Sequence, residues 1–181
     1  MSQSYIQLLV PLDQQSQWYR QLQSALATIP ARWQGSGFHI TIAFINNEFD
    51  MTGAKRVADI IDGVLRGTAA PVITFDKLDV FTGNSGEKHI VNLTASVIPP
   101  EFTNLVKQIR YELRANGYEL QPHKLHVTLV RVPTSAIDLK SLQNKVGRIE
   151  IPPMPRSLNK VNYCFRQGHK HPIREWELLH S

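Results

Sequence analysis

Cysteine is almost absent from this sequence, because Cys164 carries the one thiol among 181 residues. One thiol cannot close a disulfide within the chain or build a thiolate-rich metal site, and it fits a reducing compartment. Apolar runs of ~20 residues, the length that spans a bilayer, are also lacking. Residues 1–12 have neither the basic start nor the small-residue cleavage site of a signal peptide. We therefore expect a cytoplasmic protein that does not enter the membrane.

Motifs for nucleotide-driven and serine-dependent chemistry are missing too. The sequence has no Gly-x-x-x-x-Gly-Lys-[Ser/Thr] phosphate loop and no Gly-x-Ser-x-Gly nucleophile elbow. This argues against ATP-driven reactions and serine hydrolysis. His169 and His171 flank Lys170 with no carboxylate or cysteine cluster nearby, so we expect solvated loop histidines there, no metal site and no cofactor.

Neither positive nor negative charge is concentrated in one stretch of the sequence. The sequence has 20 Lys and Arg against 15 Asp and Glu, a formal net charge of +5. This mildly favours a partner that carries phosphate, but without a block of about five like charges it cannot define a function. The hydrophobic share of 42% is enough for a sizeable core in one domain.

One order of elements occurs twice along the chain. Each half is predicted to run strand, helix, strand, helix, strand, from hydrophobic periodicity and from Gly and Pro signals such as Gly67, Pro100 and Gly117. The predicted segments are strand 5–12, helix 18–29, strand 38–44, helix 57–65 and strand 72–81, then strand 89–97, helix 100–113, strand 124–132, helix 138–146 and strands near 149, 158–165 and 175–179. Such a repeat predicts one α+β domain over residues 1–181, with similar halves at roughly 1–85 and 86–181 joined near 82–88.

The third segment of each half contains His-x-Thr within an apolar run. The motifs are His39 with Thr41 and His126 with Thr128, 87 residues apart (39 to 126). Because residues two apart in a strand share a face, each pair projects to one side while its apolar neighbours face the core. Two lobes related by approximate twofold symmetry would then bring two imidazoles and two hydroxyls together.

Two imidazoles and two hydroxyls can cleave a phosphodiester without a metal. Near neutral pH one imidazole can accept a proton while the other donates one. A hydroxyl can donate a hydrogen bond to a non-bridging phosphate oxygen. A single His-x-Thr would more often be a buried structural histidine, but two copies at the same place in a repeated order favour function over coincidence.

The pair "HITIAF" and "HVTLVR" resembles the signature of the two-histidine phosphoesterase superfamily. That superfamily includes bacterial 2′-5′ RNA ligases, RNA 2′,3′-cyclic phosphodiesterases and ADP-ribose cyclic phosphodiesterases. The resemblance implies a bilobal fold in which two antiparallel sheets carry helices on their outer faces and the motif strands line a central cleft. It also implies that His39 and His126 are the catalytic histidines and that Thr41 and Thr128 bind phosphate.

The RNA-acting branch of the superfamily has two further residues at fixed offsets. An aromatic residue follows the first histidine by five positions and an arginine follows the second by five, which here are Phe44 and Arg131. Strand alternation places an odd offset on the opposite face unless the strand bulges, so core packing is the alternative for both. The sequence departs from many relatives in Ile45-Asn46 after the first motif, and in Pro122 preceding His123 rather than the motif histidine.

These patterns predict a metal-independent enzyme that opens a 2′,3′-cyclic phosphate at an RNA end and leaves a 2′-phosphate. The resemblance adds reversible 2′-5′ RNA joining as a side activity. Two alternatives stay open: a phosphodiesterase for a small nucleotide such as ADP-ribose cyclic phosphate, and a module that binds RNA or a nucleotide without turnover. The expected partner is therefore RNA or a cyclic-phosphate nucleotide, and the expected state is a monomer.

Overall fold

The computed structural model describes residues 3–47, 50–122, 124–167 and 169–179. Its elements are β1 (Gln3–Leu9), α1 (Gln17–Ala25), β2 (Arg32–Trp33), β3 (His39–Ile45), α2 (Met51–Leu65), β4 (Val72–Phe75), β5 (Lys77–Thr82), β6 (Lys88–Thr94), α3 (Pro100–Ala115), β7 (Val127–Pro133), α4 (Leu139–Gly147), β8 (Met154–Ser157), β9 (Lys160–Gln167) and β10 (His169–Glu177). Antiparallel sheets with helices confirm the α+β class. In the part of the chain so described, no helix has the length and apolar character that crossing a membrane requires.

Two four-stranded antiparallel sheets form the framework of the molecule. The first has the strand order β10-β9-β1-β3 and the second has the order β2-β7-β6-β5, while β4 and β8 form a separate pair. Helix α2 contacts α3 and β10, and α3 contacts β3, whereas α4 contacts both β5 and α1. Each motif strand, β3 or β7, therefore belongs to a different sheet.

The sheets do not divide at the boundary near residue 85 that the sequence suggests. Strand β5 comes from the first half of the chain yet pairs in the second sheet, and β9 and β10 come from the second half yet complete the first sheet. Residues 82–88 are a hairpin turn within the second sheet, in which the Gly83 N–H donates to the Lys88 carbonyl at 2.9 Å. The predicted linker is therefore wrong, because each sheet takes strands from both halves.

The two motif strands are tied together by the segments that precede them. Strand β2, just before β3, pairs with β7 through Arg32 opposite Arg131. Conversely, Leu120, before β7, forms a bridge with Ile45 at the end of β3. This reciprocal pairing holds the ends of β3 and β7 next to each other, and the two strands are in contact.

Local sequence explains where the helices begin and end. The Asp50 carboxylate accepts a hydrogen bond from the Gly53 N–H at 2.6 Å at the start of α2, and Asp138 accepts from the Ser141 N–H at 2.9 Å at the start of α4. Pro100 begins α3, as predicted, because its missing N–H has no partner to lose there. Gly67 follows the end of α2 with φ of 72°, a left-handed conformation that glycine adopts without strain.

Three strand predictions need correction. Residues 72–81 form two strands in different sheets, because Asp76 interrupts them and its carboxylate accepts from the Ser96 N–H at 2.9 Å. The strand expected near Ile149 begins only at Met154, after Pro152 and Pro153, which have no N–H to donate to a sheet. The short strand β2 was not predicted, because two residues show no alternation.

Candidate active site

Both motif strands contain a β-bulge, and it falls directly after the threonine in each. In β3, Thr41 lies opposite Gln7 and Ala43 opposite Ile6, so Ile42 is the extra residue. In β7, Thr128 lies opposite Asn92 and Val130 opposite Val91, so Leu129 is the extra residue. A bulge adds one residue to one strand and thereby shifts its side-chain alternation.

The bulges bring Phe44 and Arg131 to the same faces as the motif residues. In β3, His39, Thr41 and Phe44 are partly exposed, while the two residues between Thr41 and Phe44 are buried. In β7, Thr128 and Arg131 are partly exposed and the two residues between them are buried. Phe44 and Arg131 therefore do not lie on the face opposite the motif residues, as simple strand alternation predicts, because a bulge shifts the alternation in each strand.

The carbonyl of each bulge residue accepts a hydrogen bond. The guanidinium of Arg110, from α3, donates from Nη1 to the Ile42 carbonyl at 3.3 Å and from Nη2 to the Gln121 carbonyl at 2.7 Å. The Leu129 carbonyl accepts from the Gln34 N–H at 2.9 Å. These contacts stabilise the irregular backbone at both motifs.

The two motif imidazoles are held by the backbone in the same way. His39 Nδ1 lies 2.8 Å from the Gly37 carbonyl oxygen and His126 Nδ1 lies 2.9 Å from the Lys124 carbonyl oxygen. A carbonyl can only accept, so Nδ1 carries the proton in both rings. In the neutral ring Nε2 is then the nitrogen with a lone pair, able to accept a proton from a substrate or water.

The two rings differ in their surroundings. The His39 ring stacks on Tyr5 at a centroid distance of 6.4 Å. The His126 ring meets Phe81 edge-to-face at 5.2 Å, and the Lys124 ammonium lies 3.9 Å from the Phe81 ring centre. Burial lowers the pKa of His126, the hydrogen bond to the Lys124 carbonyl opposes this, and the charges of Lys124 and Arg131 lower the pKa further. His126 is therefore biased towards its neutral form at neutral pH.

A cavity of about 420 Å³ lies between the two sheets. Its lining comes from β3, from β5 and the turn after it, from α3 and from the segment that precedes β7: Thr41, Ile42, Ala43, Phe44, Phe81, Asn84, Arg110, Gln121, Pro122, Lys124 and His126. Three predicted site residues, Thr41, Phe44 and His126, are thus brought to one cavity. The other three are not among its lining residues, although His39 and Thr128 share strand faces with residues that are, and Arg131 donates to Gln34 Oε1 at 3.3 Å.

Sequence reasoning missed two buried amides that lie opposite the motif threonines. Gln7 faces Thr41 across β1 and β3, and Asn92 faces Thr128 across β6 and β7. Both are fully buried, and Gln7 Oε1, Gln7 Nε2 and Asn92 Oδ1 have no hydrogen-bond partner among the described residues. Residues opposite each other in antiparallel strands share a face, so each amide lies on the motif side of its sheet. The sequence feature that could have indicated these amides is one Gln or Asn within an otherwise apolar run, "YIQLLV" and "HIVNLT".

The described residues hold no group of three or more His, Cys, Asp or Glu side chains that could bind a metal ion. His169 and His171 belong to strand β10, which corrects the expectation of a loop. His123, which precedes the second motif, lies outside the described residues.

Several solved structures share this architecture. A structure of a phosphoesterase is 18% identical to this chain, with a TM-score of 0.63 over 99% of both chains. E. coli LigT in complex with 3′-AMP is 17% identical, with a TM-score of 0.65 over 98% of both chains. Usb1 from Kluyveromyces marxianus is 12% identical, with a TM-score of 0.66 over 97% of this chain and 98% of Usb1.

These neighbours are two-histidine phosphoesterases, and the chain has their fold, as the paired motif predicted. No family model matches the sequence, and no curated protein matches it either. At identities below 20% the likeness concerns the fold, so an activity has to be inferred from the site itself.

Proposed function

We propose that this protein is a metal-independent phosphoesterase that hydrolyses a 2′,3′-cyclic phosphate to a 2′-phosphate. The observation that carries the proposal is the matched pair of imidazoles, each with Nδ1 bound to a carbonyl two residues earlier. His39 begins one strand and His126 directly precedes the other, and both strands have the same bulge. Two proton transfers are what phosphodiester hydrolysis requires, one from the attacking water and one to the leaving oxygen.

The lowered pKa of His126 makes it the base. Its neutral Nε2 accepts a proton from water as the water oxygen bonds to phosphorus. The bond between phosphorus and the 3′ oxygen breaks, and protonated His39 donates its Nε2 proton to that oxygen. The products are a 2′-phosphate and a 3′ hydroxyl, and a proton passing from His126 through solvent to His39 restores the starting state.

The hydroxyls and the two bulge-directed side chains hold the substrate in this mechanism. Thr41 and Thr128 donate hydrogen bonds to the non-bridging phosphate oxygens, where charge accumulates in the transition state. Phe44 offers an aromatic face to a base, and Arg131 supplies a positive charge close to the phosphate. Tyr5 supports Phe44, since their rings stack 6.1 Å apart.

The fold neighbours support a nucleotide-like substrate without defining it. One LigT structure contains 3′-AMP, and others contain NADP+ or ATP. Joining of RNA through a 2′-5′ bond would follow if a 5′ hydroxyl replaced water as the nucleophile that opens the cyclic phosphate, with the 3′ oxygen leaving as before; the reverse of that step would cleave the bond again. The monomeric state and the cytoplasmic location stay predictions from the sequence.

A substrate panel in EDTA tests the proposal. Cyclic-phosphate forms of a mononucleotide, an oligonucleotide and ADP-ribose are incubated with the protein, and the position of the product phosphate is determined. The expected result is a 2′-phosphate product at a rate that the chelator does not change. Activity that disappears with EDTA rejects the mechanism. A preference for ADP-ribose cyclic phosphate selects the small-nucleotide enzyme, and tight binding without product selects a binding module.

A further inference from the structure

One face of α3 carries a stripe of positive charge with an aromatic residue in it. Lys107, Arg110, Tyr111 and Arg114 are spaced i, i+3, i+4 and i+7, so they project from the same side of the helix. Lys107 and Arg114 are exposed, and Tyr111 is 69% exposed, which is unusual for a side chain with so much apolar area. From Lys107 to Arg114 the stripe extends ~10 Å along the helix axis.

Among the described residues, no carboxylate forms an ion pair with the cations of this stripe. Both ion pairs found among the described residues are made by Asp62, with Arg66 and Arg174. Lys107 and Arg114 have no carboxylate partner in that part of the chain, and the charge of Arg114 contributes to lowering the pKa of Arg110. Uncompensated positive charge on one face attracts a polyanion.

Arg110 connects this stripe to the active-site cavity. It lines the 420 Å³ cavity beside Thr41 and His126, and it also lines a second cavity of about 630 Å³ with Lys107, Tyr111, Arg114 and Ala115. Arg110 is 8% exposed as a residue, and its guanidinium donates hydrogen bonds to the carbonyls of Ile42 and Gln121. A ligand that leaves the active site past Arg110 therefore meets the exposed face of α3.

We propose that this face of α3 binds the single-stranded RNA that precedes a terminal 2′,3′-cyclic phosphate. The assignment depends on the proposed function, because it makes the substrate an RNA chain rather than a small nucleotide. Lys107 and Arg114 contact successive backbone phosphates, and Tyr111 stacks on a base. Cationic grooves with exposed aromatic side chains bind single strands of any sequence in this way.

The test compares two substrates and two double variants. Lys107→Ala/Arg114→Ala removes two charges from the stripe, and Lys140→Ala/Lys145→Ala removes two charges from exposed positions on α4. The KM and kcat of each protein are measured with a cyclic-phosphate mononucleotide and with a cyclic-phosphate oligonucleotide, at several salt concentrations.

The α3 variant should raise the KM for the oligonucleotide roughly tenfold at low salt. It should also reduce the salt slope of log(1/KM) by about 1.4, because each phosphate of a single strand that a protein cation neutralises contributes ~0.7 to that slope. Its kcat and its mononucleotide kinetics should not change, and the α4 variant should behave as wild type. Equal effects of both variants, or oligonucleotide kinetics unaffected by the α3 variant, would overturn the proposal.

If no substrate is hydrolysed, the proposed function fails, but the same variants still test the RNA-binding surface. Binding of a 3′-phosphorylated RNA oligonucleotide is then measured by fluorescence anisotropy. Weaker binding by the α3 variant than by the α4 variant still supports the RNA surface, and equal binding rejects it. Replacing Tyr111 by Leu should also weaken RNA binding, because an aliphatic side chain cannot stack on a base.

Discussion

His39 and His126 share one backbone contact but differ in the side chains that cover their rings. The hydrogen bond from Nδ1 orients each ring and leaves Nε2 for chemistry. The His126 ring packs against Phe81, and burial and the charges of Lys124 and Arg131 lower its pKa. The sequence predicted the two histidines but not their roles, because roles depend on burial and neighbouring charge, which nearly identical motifs do not reveal.

Replacing Phe81 by Ala should move the acidic limb of the pH–rate profile to higher pH. A base works only when deprotonated, so the rate falls as the pH drops below the pKa of His126. Burial holds that pKa below its ordinary value of about 6.5, and water admitted by the smaller side chain would raise it. The measurement is kcat/KM against pH with a cyclic mononucleotide, with Phe81→Leu as a matched variant that keeps the site dry. An acidic limb that stays in place would show that Phe81 does not shield His126.

Replacing Gln7 by Met should leave the protein as stable or more stable. The amide of Gln7 is fully buried, and neither of its polar atoms has a partner among the described residues. Removing a buried polar group without a partner gains about 1–3 kcal/mol, and Met has a similar length. Urea unfolding of wild type, Gln7→Met and Asn92→Leu would measure this, with Asn92→Leu as the contrast because the Asn92 amide nitrogen donates to the carbonyls of Asp79 and Ile90. Destabilisation of Gln7→Met by more than ~1 kcal/mol would show that the amide is satisfied in solution.

At the scale of elements, the bulges in β3 and β7 decide which side chains reach the site. Most helices and strands follow from hydrophobic period and from residues such as Pro100 and Gly67. In the sequence, each bulge is indicated only by two adjacent apolar residues after the threonine, Ile42-Ala43 and Leu129-Val130. Such a pair also occurs where a strand is simply buried on both faces, so a bulge becomes evident only when the partner strand is known.

Alanine substitutions at the bulge residue Ile42 and at Phe44, two positions later, should separate stability from activity. Ile42 is fully buried, so Ile42→Ala should cost about 2–5 kcal/mol in the free energy of unfolding. Phe44 is partly exposed on the motif face, so Phe44→Ala should cost less stability and raise KM. Chemical denaturation and steady-state kinetics on the two variants provide the comparison. A Phe44→Ala protein that is as unstable as Ile42→Ala, with unchanged KM, would place Phe44 in the core.

At the scale of the whole molecule, the two halves of the chain exchange elements. Strand β5 pairs in the second sheet, whereas β9 and β10 pair in the first. The repeated order of elements predicted two similar units but placed their boundary in what is a hairpin turn. Order along the chain does not reveal which strands pair, because pairing depends on long-range contacts that local patterns do not encode.

Residues 1–85 and 86–181 should therefore not fold as separate fragments. Each fragment lacks two strands of each four-stranded sheet, so its exposed sheet edges and apolar faces have nothing to pack against. Circular dichroism and thermal unfolding of the separate fragments should show no cooperative transition, and mixing them should restore one. A fragment 1–85 that unfolds cooperatively on its own would contradict the exchange.

The most direct measurement of the central claim is hydrolysis of a 2′,3′-cyclic phosphate by wild type, His39→Ala and His126→Ala, with the fold of each checked by circular dichroism. Each imidazole is only partly buried, so both variants should fold. Each should lose on the order of 10²–10⁴ in rate, because each lacks one proton transfer. A rate within twofold of wild type for either folded variant would contradict the account.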